Sequence, residues 1–171
     1  YTQFLNARGG IESDLTVCRL AADRFRVITG TSFLSNDLEW VHAHAPADGP
    51  VEIQDVTDDL ACIGLWGPRA RDVLDQATDD DISNGAFPYL TAKKLTVAGK
   101  LAWAQRVSYI GELGWELYLA NNDAGAVWNM LLELGQAHGV RPAGYKALDS
   151  LRLEKGYVYW SIDVTPEDNL L

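Results

Sequence analysis

Phe33-Leu-Ser-Asn-Asp37 closes an extended stretch and opens a helical one, which places a carboxylate where chemistry is often done. Asp37 then has two readings. As a first-turn acid it simply favours the helix dipole, and residue type alone prefers that reading. As a carboxylate at a strand end it would face a ligand crevice. A second candidate is Tyr109-Ile-Gly-Glu-Leu-Gly-Trp-Glu116. Its two glycines let the backbone approach another group closely. Alternation puts Glu116 on the face of Tyr118, opposite Trp115 and Leu117. Glu116 either faces solvent beside a plain hairpin or points into a pocket. In a pocket, a carboxylate can accept two parallel N–H bonds, which suits a flat, donor-rich edge such as an aminopyrimidine. The third stretch, Leu148-Asp-Ser-Leu-Arg-Leu-Glu-Lys-Gly-Tyr157, alternates charge in the ordinary manner of an ion-pair row or solvated face. His42, His44 and His138 have no Cys or carboxylate at ligand spacing. Cys18 and Cys62 stand alone in apolar contexts and are expected to be buried thiols of a reducing compartment.

The elements that would position these residues follow from punctuation and period. Tyr1–Leu5 and Ile11–Leu20 read as strands joined by Asn6-Ala-Arg-Gly-Gly10, whose glycines suit a tight turn. Phe25–Thr29 alternates as a third strand. Ser35 or Asn36 is placed to cap a helix from Asp37 to about Ala45. Asp59–Leu65 reads as a buried strand, and Gly67-Pro68 as the opening of a helix. Lys94–Val97 and Leu101–Val107 flank a turn at Gly99. Trp115–Leu119 follows the double-glycine turn. Ala124–Gln136 is amphipathic through Val127, Leu131 and Leu134 and ends near Gly139. A last helix runs from about Gly144 to Glu154. Strand pairs followed by helices predict an α+β domain, mostly antiparallel sheets with helices packed on them.

At 171 residues the chain is long enough for one sizeable core. Its net charge of −10 opposes nucleic-acid phosphates and anionic membrane surfaces. No apolar run reaches the roughly 20 residues that span a bilayer. No Gly-rich phosphate loop is present. The chain opens at Tyr1 and closes on Asn169-Leu-Leu, and it reads as a piece of something longer.

Taken in order, Tyr1–Leu15, Phe33–Asp37, Tyr109–Glu116, Asp149–Glu154 and Ile162–Asp168 resemble the T-protein (aminomethyltransferase) family of the glycine cleavage system. Asn6-Ala-Arg-Gly-Gly-Ile11 and Leu148–Lys155 are more similar to the folate-binding half of dimethylglycine and sarcosine dehydrogenases. T-proteins proper carry an Arg directly before Asp-Ser-Leu-Arg. Here that position is Leu148, which tilts the reading toward the dehydrogenase branch.

The resemblance implies a T-protein-like folate-binding domain over residues 1–171, without an N-terminal segment and a C-terminal small β-barrel. It implies tetrahydrofolate as ligand, Asp37 as the catalytic carboxylate, Tyr109 and Glu116 as pterin contacts, and a structural role for Arg152. The implied reaction forms 5,10-methylenetetrahydrofolate from an iminium made by oxidation of dimethylglycine or sarcosine. FAD is then expected only in a separate domain of the same or an associated chain, and the location is cytoplasmic or the mitochondrial matrix. Three alternatives stand beside it. One is a stand-alone glycine cleavage aminomethyltransferase. Another is a folate-binding module without transfer activity, although Lys155-Gly-Tyr157 lacks the Cys of the iron–sulfur-assembly relatives. The last is an acidic interaction domain with no ligand.

Overall fold

A computed structural model describes residues 1–170, which fall into two compact units, Tyr1–Asp55 with the segment from Val158 onward, and Val56–Tyr157. The first unit holds a three-stranded antiparallel sheet in the order β1 (Thr2–Leu5), β2 (Ile11–Ala21), β3 (Arg24–Ile28). The β1–β2 turn is built on Asn6. Its Oδ1 accepts from the N–H groups of Arg8 and Gly10, each at 2.9 Å, and its Nδ2 donates to Glu12 Oε1 at 2.7 Å. Gly9 takes the left-handed conformation (φ 84°) that the turn needs. The closing segment of the chain lies back on this turn: Trp160 Nε1 donates to the Ile11 carbonyl at 2.8 Å, and the Ile11 N–H donates to the Asp168 carbonyl at 3.1 Å.

After β3 a 3₁₀ turn, Thr31–Phe33, runs straight into helix α1 (Leu34–His44). The expected cap at Ser35 or Asn36 is not used. Both lie inside the helix, because the 3₁₀ turn starts the coil earlier and its hydrogen bond from Phe33 N–H to Gly30 carbonyl (2.8 Å) begins the winding.

The second unit is a four-stranded antiparallel sheet in the order β4 (Leu60–Trp66), β7 (Gly114–Ala120), β6 (Lys100–Gln105), β5 (Ala92–Val97). The period of two sorts its residues. Ile63, Leu65, Leu95, Val97, Ala102, Ala104, Trp115, Leu117 and Leu119 face one way and are buried. Val73 and Leu74 of α2 (Ala70–Leu74) and Val127 and Leu131 of α3 (Asn121–Gly135) complete that core. The expected α+β architecture is present, with helices on one face of this sheet. Ala98 (φ 50°) and Gly99 (φ 74°) form the two-residue connection of the β5–β6 hairpin, the conformation that matches strand twist. Helix α3 passes through a 3₁₀ turn, Gln136–His138, and stops at Gly139 (φ 75°). Helix α4 spans Tyr145–Glu154. Among the described residues no helix is long and apolar enough to cross a membrane.

Candidate functional site

In the first unit, Asp37 sits in the first turn of α1 and is only 3% exposed. Its Oδ2 accepts a close hydrogen bond from Thr29 Oγ1 at the end of β3, and its Oδ1 accepts from Asn36 Nδ2 at 3.3 Å. No cation pairs with it among the described residues. Burying an unpaired carboxylate is costly, and the α1 N-terminus offsets only part of that cost. A shallow cavity of about 180 Å³ in this unit, lined by Arg8, Gly10, Pro166, Glu167 and Asn169, contains none of the predicted site residues. It is smaller than the roughly 300 Å³ at which small-molecule pockets begin.

In the second unit, the candidate chemistry lies on the sheet face opposite α2 and α3. Glu116 is on β7, and its neighbours are set by register. Gly64 of β4 stands on one side and Gln105 of β6 on the other. The absence of a side chain at Gly64 makes room for the Trp66 ring. The Trp66 ring folds back over the gap, so that a Cβ at residue 64 would meet Trp66 Cη2 at 2.6 Å. Trp66 Nε1 donates to the Val107 carbonyl at 3.0 Å and fixes the ring. Tyr118, two residues along β7 and hence on the same face, donates its hydroxyl to Glu116 Oε2 at 2.7 Å.

Burial holds the Glu116 carboxyl above the usual carboxylate range, and the Tyr118 hydrogen bond pulls the other way. Burial, then the Glu116 charge and Cys62, push the Tyr118 hydroxyl far up, so it stays a donor. Cys62 is the register partner of Tyr118. It is exposed over its own surface, not buried as expected, because it lies beside Gly64 on the face that the helices leave uncovered. Cys18 is buried. The sheet surrounding Cys62 and the nearby Glu116 carboxylate still raise its thiol, which therefore stays protonated.

Tyr109 lies in the turn before β7. Its ring stacks on Tyr157 with centroids 6.4 Å apart and planes 29° apart. Gly111 (φ 69°) lets Lys155 press against the turn: a Cβ there would lie 2.4 Å from Lys155 Cγ. Lys155 Nζ also pairs with Glu112 at 3.3 Å. Arg152 is buried. Its Nε and Nη2 reach Asp149 Oδ1 at 2.8 Å each, and Nη1 donates to the Tyr157 carbonyl at 2.9 Å. The end of α4 thus holds the Tyr109 turn in place.

Gln105, the register partner of Glu116 on β6, was not singled out by the sequence. It is 2% exposed, and its Nε2 has no hydrogen-bond partner among the described residues. The only signal for it in the sequence was a polar residue ending the otherwise apolar run Leu101–Ala104.

The whole chain, residues 1–171, matches the family model described as the GCVT N-terminal domain. It is 38% identical over 187 aligned residues to the mitochondrial sarcosine dehydrogenase of Homo sapiens, covering 100% of this chain and 20% of that protein. It is 36% identical to the mitochondrial dimethylglycine dehydrogenase of Homo sapiens, covering 99% of this chain and 20% of that protein. Among solved structures, the glycine cleavage system aminomethyltransferase T from Bartonella henselae superposes with a TM-score of 0.79 at 28% identity, covering 98% of this chain and 43% of that one. The chain spans 20% of the length of the two dehydrogenases.

Proposed function

Because this chain belongs to the family of GCVT N-terminal domains, we propose that it binds tetrahydrofolate and serves one-carbon transfer in a dimethylglycine- or sarcosine-dehydrogenase-like enzyme. The observation that carries the reading is the environment of Glu116. It is a half-buried carboxylate on the sheet face that α2 and α3 leave uncovered, with Gly64 under the Trp66 ring on one side and an unpartnered buried amide on the other. A group with that donor set fits the amino-pyrimidine edge of a pterin, whose adjacent N–H donors a carboxylate accepts in parallel.

The bound folate supplies the nucleophilic nitrogen for the transfer. Glu116 accepts the ring's N–H donors and fixes the ring's orientation. Tyr118, hydrogen-bonded to Glu116 Oε2, keeps that carboxylate in one rotamer. Tyr109 offers a flat ring, held by Tyr157, for the pterin to lie against. Asp37 is assigned the proton at the attacking nitrogen, with Thr29 and Asn36 orienting its two oxygens. The carbon comes from an iminium formed by oxidation of an N-methylated glycine. As the folate nitrogens bond to it, the C–N bond to the demethylated amine breaks, one folate N–H proton passes to that leaving amine and the other is released, giving 5,10-methylenetetrahydrofolate. FAD for that oxidation belongs to a separate domain of the same or an associated chain, and no residue of this chain is assigned to it. The resemblance and the net charge of −10 support a partner set limited to folate and that flavin domain, with neither nucleic acid nor membrane. The location that fits is the cytoplasm or the mitochondrial matrix.

Isothermal calorimetry with tetrahydrofolate on the whole protein and its Glu116→Ala variant tests the reading. Micromolar-range binding that weakens tenfold or more, about 1.4 kcal/mol, supports it. Absence of binding by the whole wild-type protein sinks it.

A further inference from the structure

Gln105 is the most deeply buried polar side chain on the Glu116 face, and it is the one without an accounted role. It is 2% exposed, and its amide nitrogen lacks a partner among the described residues. A buried donor left unmade is destabilising, and an apolar residue of similar shape would avoid that cost. The flanking alternate residues of β6, Ala102 and Ala104, belong to the opposite face and its core, so core packing does not call for an amide at residue 105.

Its position is informative. Gln105 is the register partner of Glu116 on the adjacent antiparallel strand, so the two side chains stand side by side on one face. Yet the Gln105 amide does not donate to Glu116, whose partner is the Tyr118 hydroxyl. On its other flank Glu116 meets Gly64, which offers no side chain. The face therefore carries an acceptor, the Glu116 carboxylate, and beside it, beneath the surface, an unused donor, Gln105 Nε2. Their Cβ atoms stand roughly 4.5–5.5 Å apart, as for any directly opposed pair.

Resting on the folate reading above, we infer that Gln105 is a specificity-determining residue that donates to the 4-oxo group of the pterin while Glu116 takes the neighbouring N3–H and 2-amino donors. The pterin edge reads donor, donor, acceptor along its length, and Glu116 with Gln105 supplies acceptor, acceptor, donor in the same order. A 4-amino pteridine presents a donor where the oxo group was. It also has no hydrogen at N3, so it loses one of the two donors that Glu116 accepts and meets the Gln105 N–H with another donor. The pair would thereby select reduced folates of the 4-oxo form over their 4-amino analogues.

The test uses the whole protein, tetrahydrofolate and its 4-amino analogue tetrahydroaminopterin, with Gln105→Met as the near-isosteric variant that lacks the amide. Calorimetry should give a wild-type preference for tetrahydrofolate. In Gln105→Met, tetrahydrofolate binding should weaken about tenfold, tetrahydroaminopterin binding should hold or strengthen, and the preference should shrink accordingly. Thermal unfolding of the ligand-free variant should hold or rise, because an orphaned buried donor has been removed. A merely structural Gln105 would instead lower the melting temperature and weaken both ligands alike, and that result overturns the inference. Equal binding of tetrahydrofolate by wild type and Gln105→Met overturns it too, while leaving the folate reading intact. Failure of the wild type to bind tetrahydrofolate overturns both.

Discussion

Glu116 offers a pH signature with opposite signs in the free and bound protein. Burial raises its carboxyl above the ordinary Glu value, and the Tyr118 hydrogen bond opposes that rise without cancelling it. Its titratable neighbours Tyr118 and Cys62 are both shifted upward and stay neutral across the window, so Glu116 is the group of this cluster that changes charge there. Consider the ligand-free protein first. Below about pH 4.3, Glu116 is protonated in both folded and unfolded chains and its full contribution to stability is present. As pH rises through the raised folded value, the unfolded chain ionises more readily. Stability then falls by up to about 1.4 kcal/mol for each pH step crossed in that window.

Binding runs the other way, since a carboxylate is needed to accept two N–H bonds. Tetrahydrofolate affinity should rise with pH through the same window, by up to about tenfold per pH step. Glu116→Gln keeps the shape and removes the titration. It should flatten both profiles, raise ligand-free stability relative to wild type at neutral pH, and weaken binding there by about 2–3 kcal/mol, roughly 30- to 150-fold. Chemical denaturation and calorimetry, each as a function of pH, read the two arms. Parallel profiles for wild type and Glu116→Gln in both assays would refute the reasoning.

Other outcomes follow from the same geometry. Tyr118→Phe removes the hydrogen bond that favours the Glu116 carboxylate, so the pH at which binding strengthens should move upward in the same calorimetric titration. Asp37→Asn should leave tetrahydrofolate affinity within a few-fold and slow formation of 5,10-methylenetetrahydrofolate by about 10²- to 10⁴-fold in a coupled assay of the whole enzyme. Transfer at the wild-type rate would remove Asp37 from the chemistry. Gly111→Ala forces a side chain onto φ 69° and into Lys155, and should cost about 1–3 kcal/mol by denaturation, with ligand affinity reduced through the displaced Tyr109 turn. Leu117→Ala, wholly within the core between the sheet and its helices, should cost about 2–5 kcal/mol without altering the pH at which binding strengthens.

Strands and their faces were readable wherever period two was clean. Trp115, Leu117 and Leu119 alternate against Glu116 and Tyr118, so the face of Glu116 could be assigned from β7 alone. Its neighbours could not. Gln105 and Gly64 come to it from strands 11 and 52 residues away in sequence, and a register is a tertiary fact. The openness of Cys62 depends on Gly64 and on which face the helices cover, and neither is encoded near the cysteine. The burial of Asp37 was hidden for a different reason. A first-turn acid ordinarily faces water, and the Thr29 hydroxyl that receives it lies across a chain reversal. The Ser35 and Asn36 caps failed because a 3₁₀ turn has no strong side-chain signal and can begin a helix without one.

The strand order β4-β7-β6-β5 also has a kinetic consequence. The β5–β6 hairpin closes over two residues and β7 follows nearby, so these three strands can assemble from local contacts. β4 must wait for β7 across an intervening segment of 47 residues, from Gly67 to Leu113, and that closure carries the larger entropy. Gln105 and Glu116 would therefore come together early, while Gly64 and the Trp66 ring join them last. A chain emerging from synthesis would thus align β6 with β7 before β4 closes beside them.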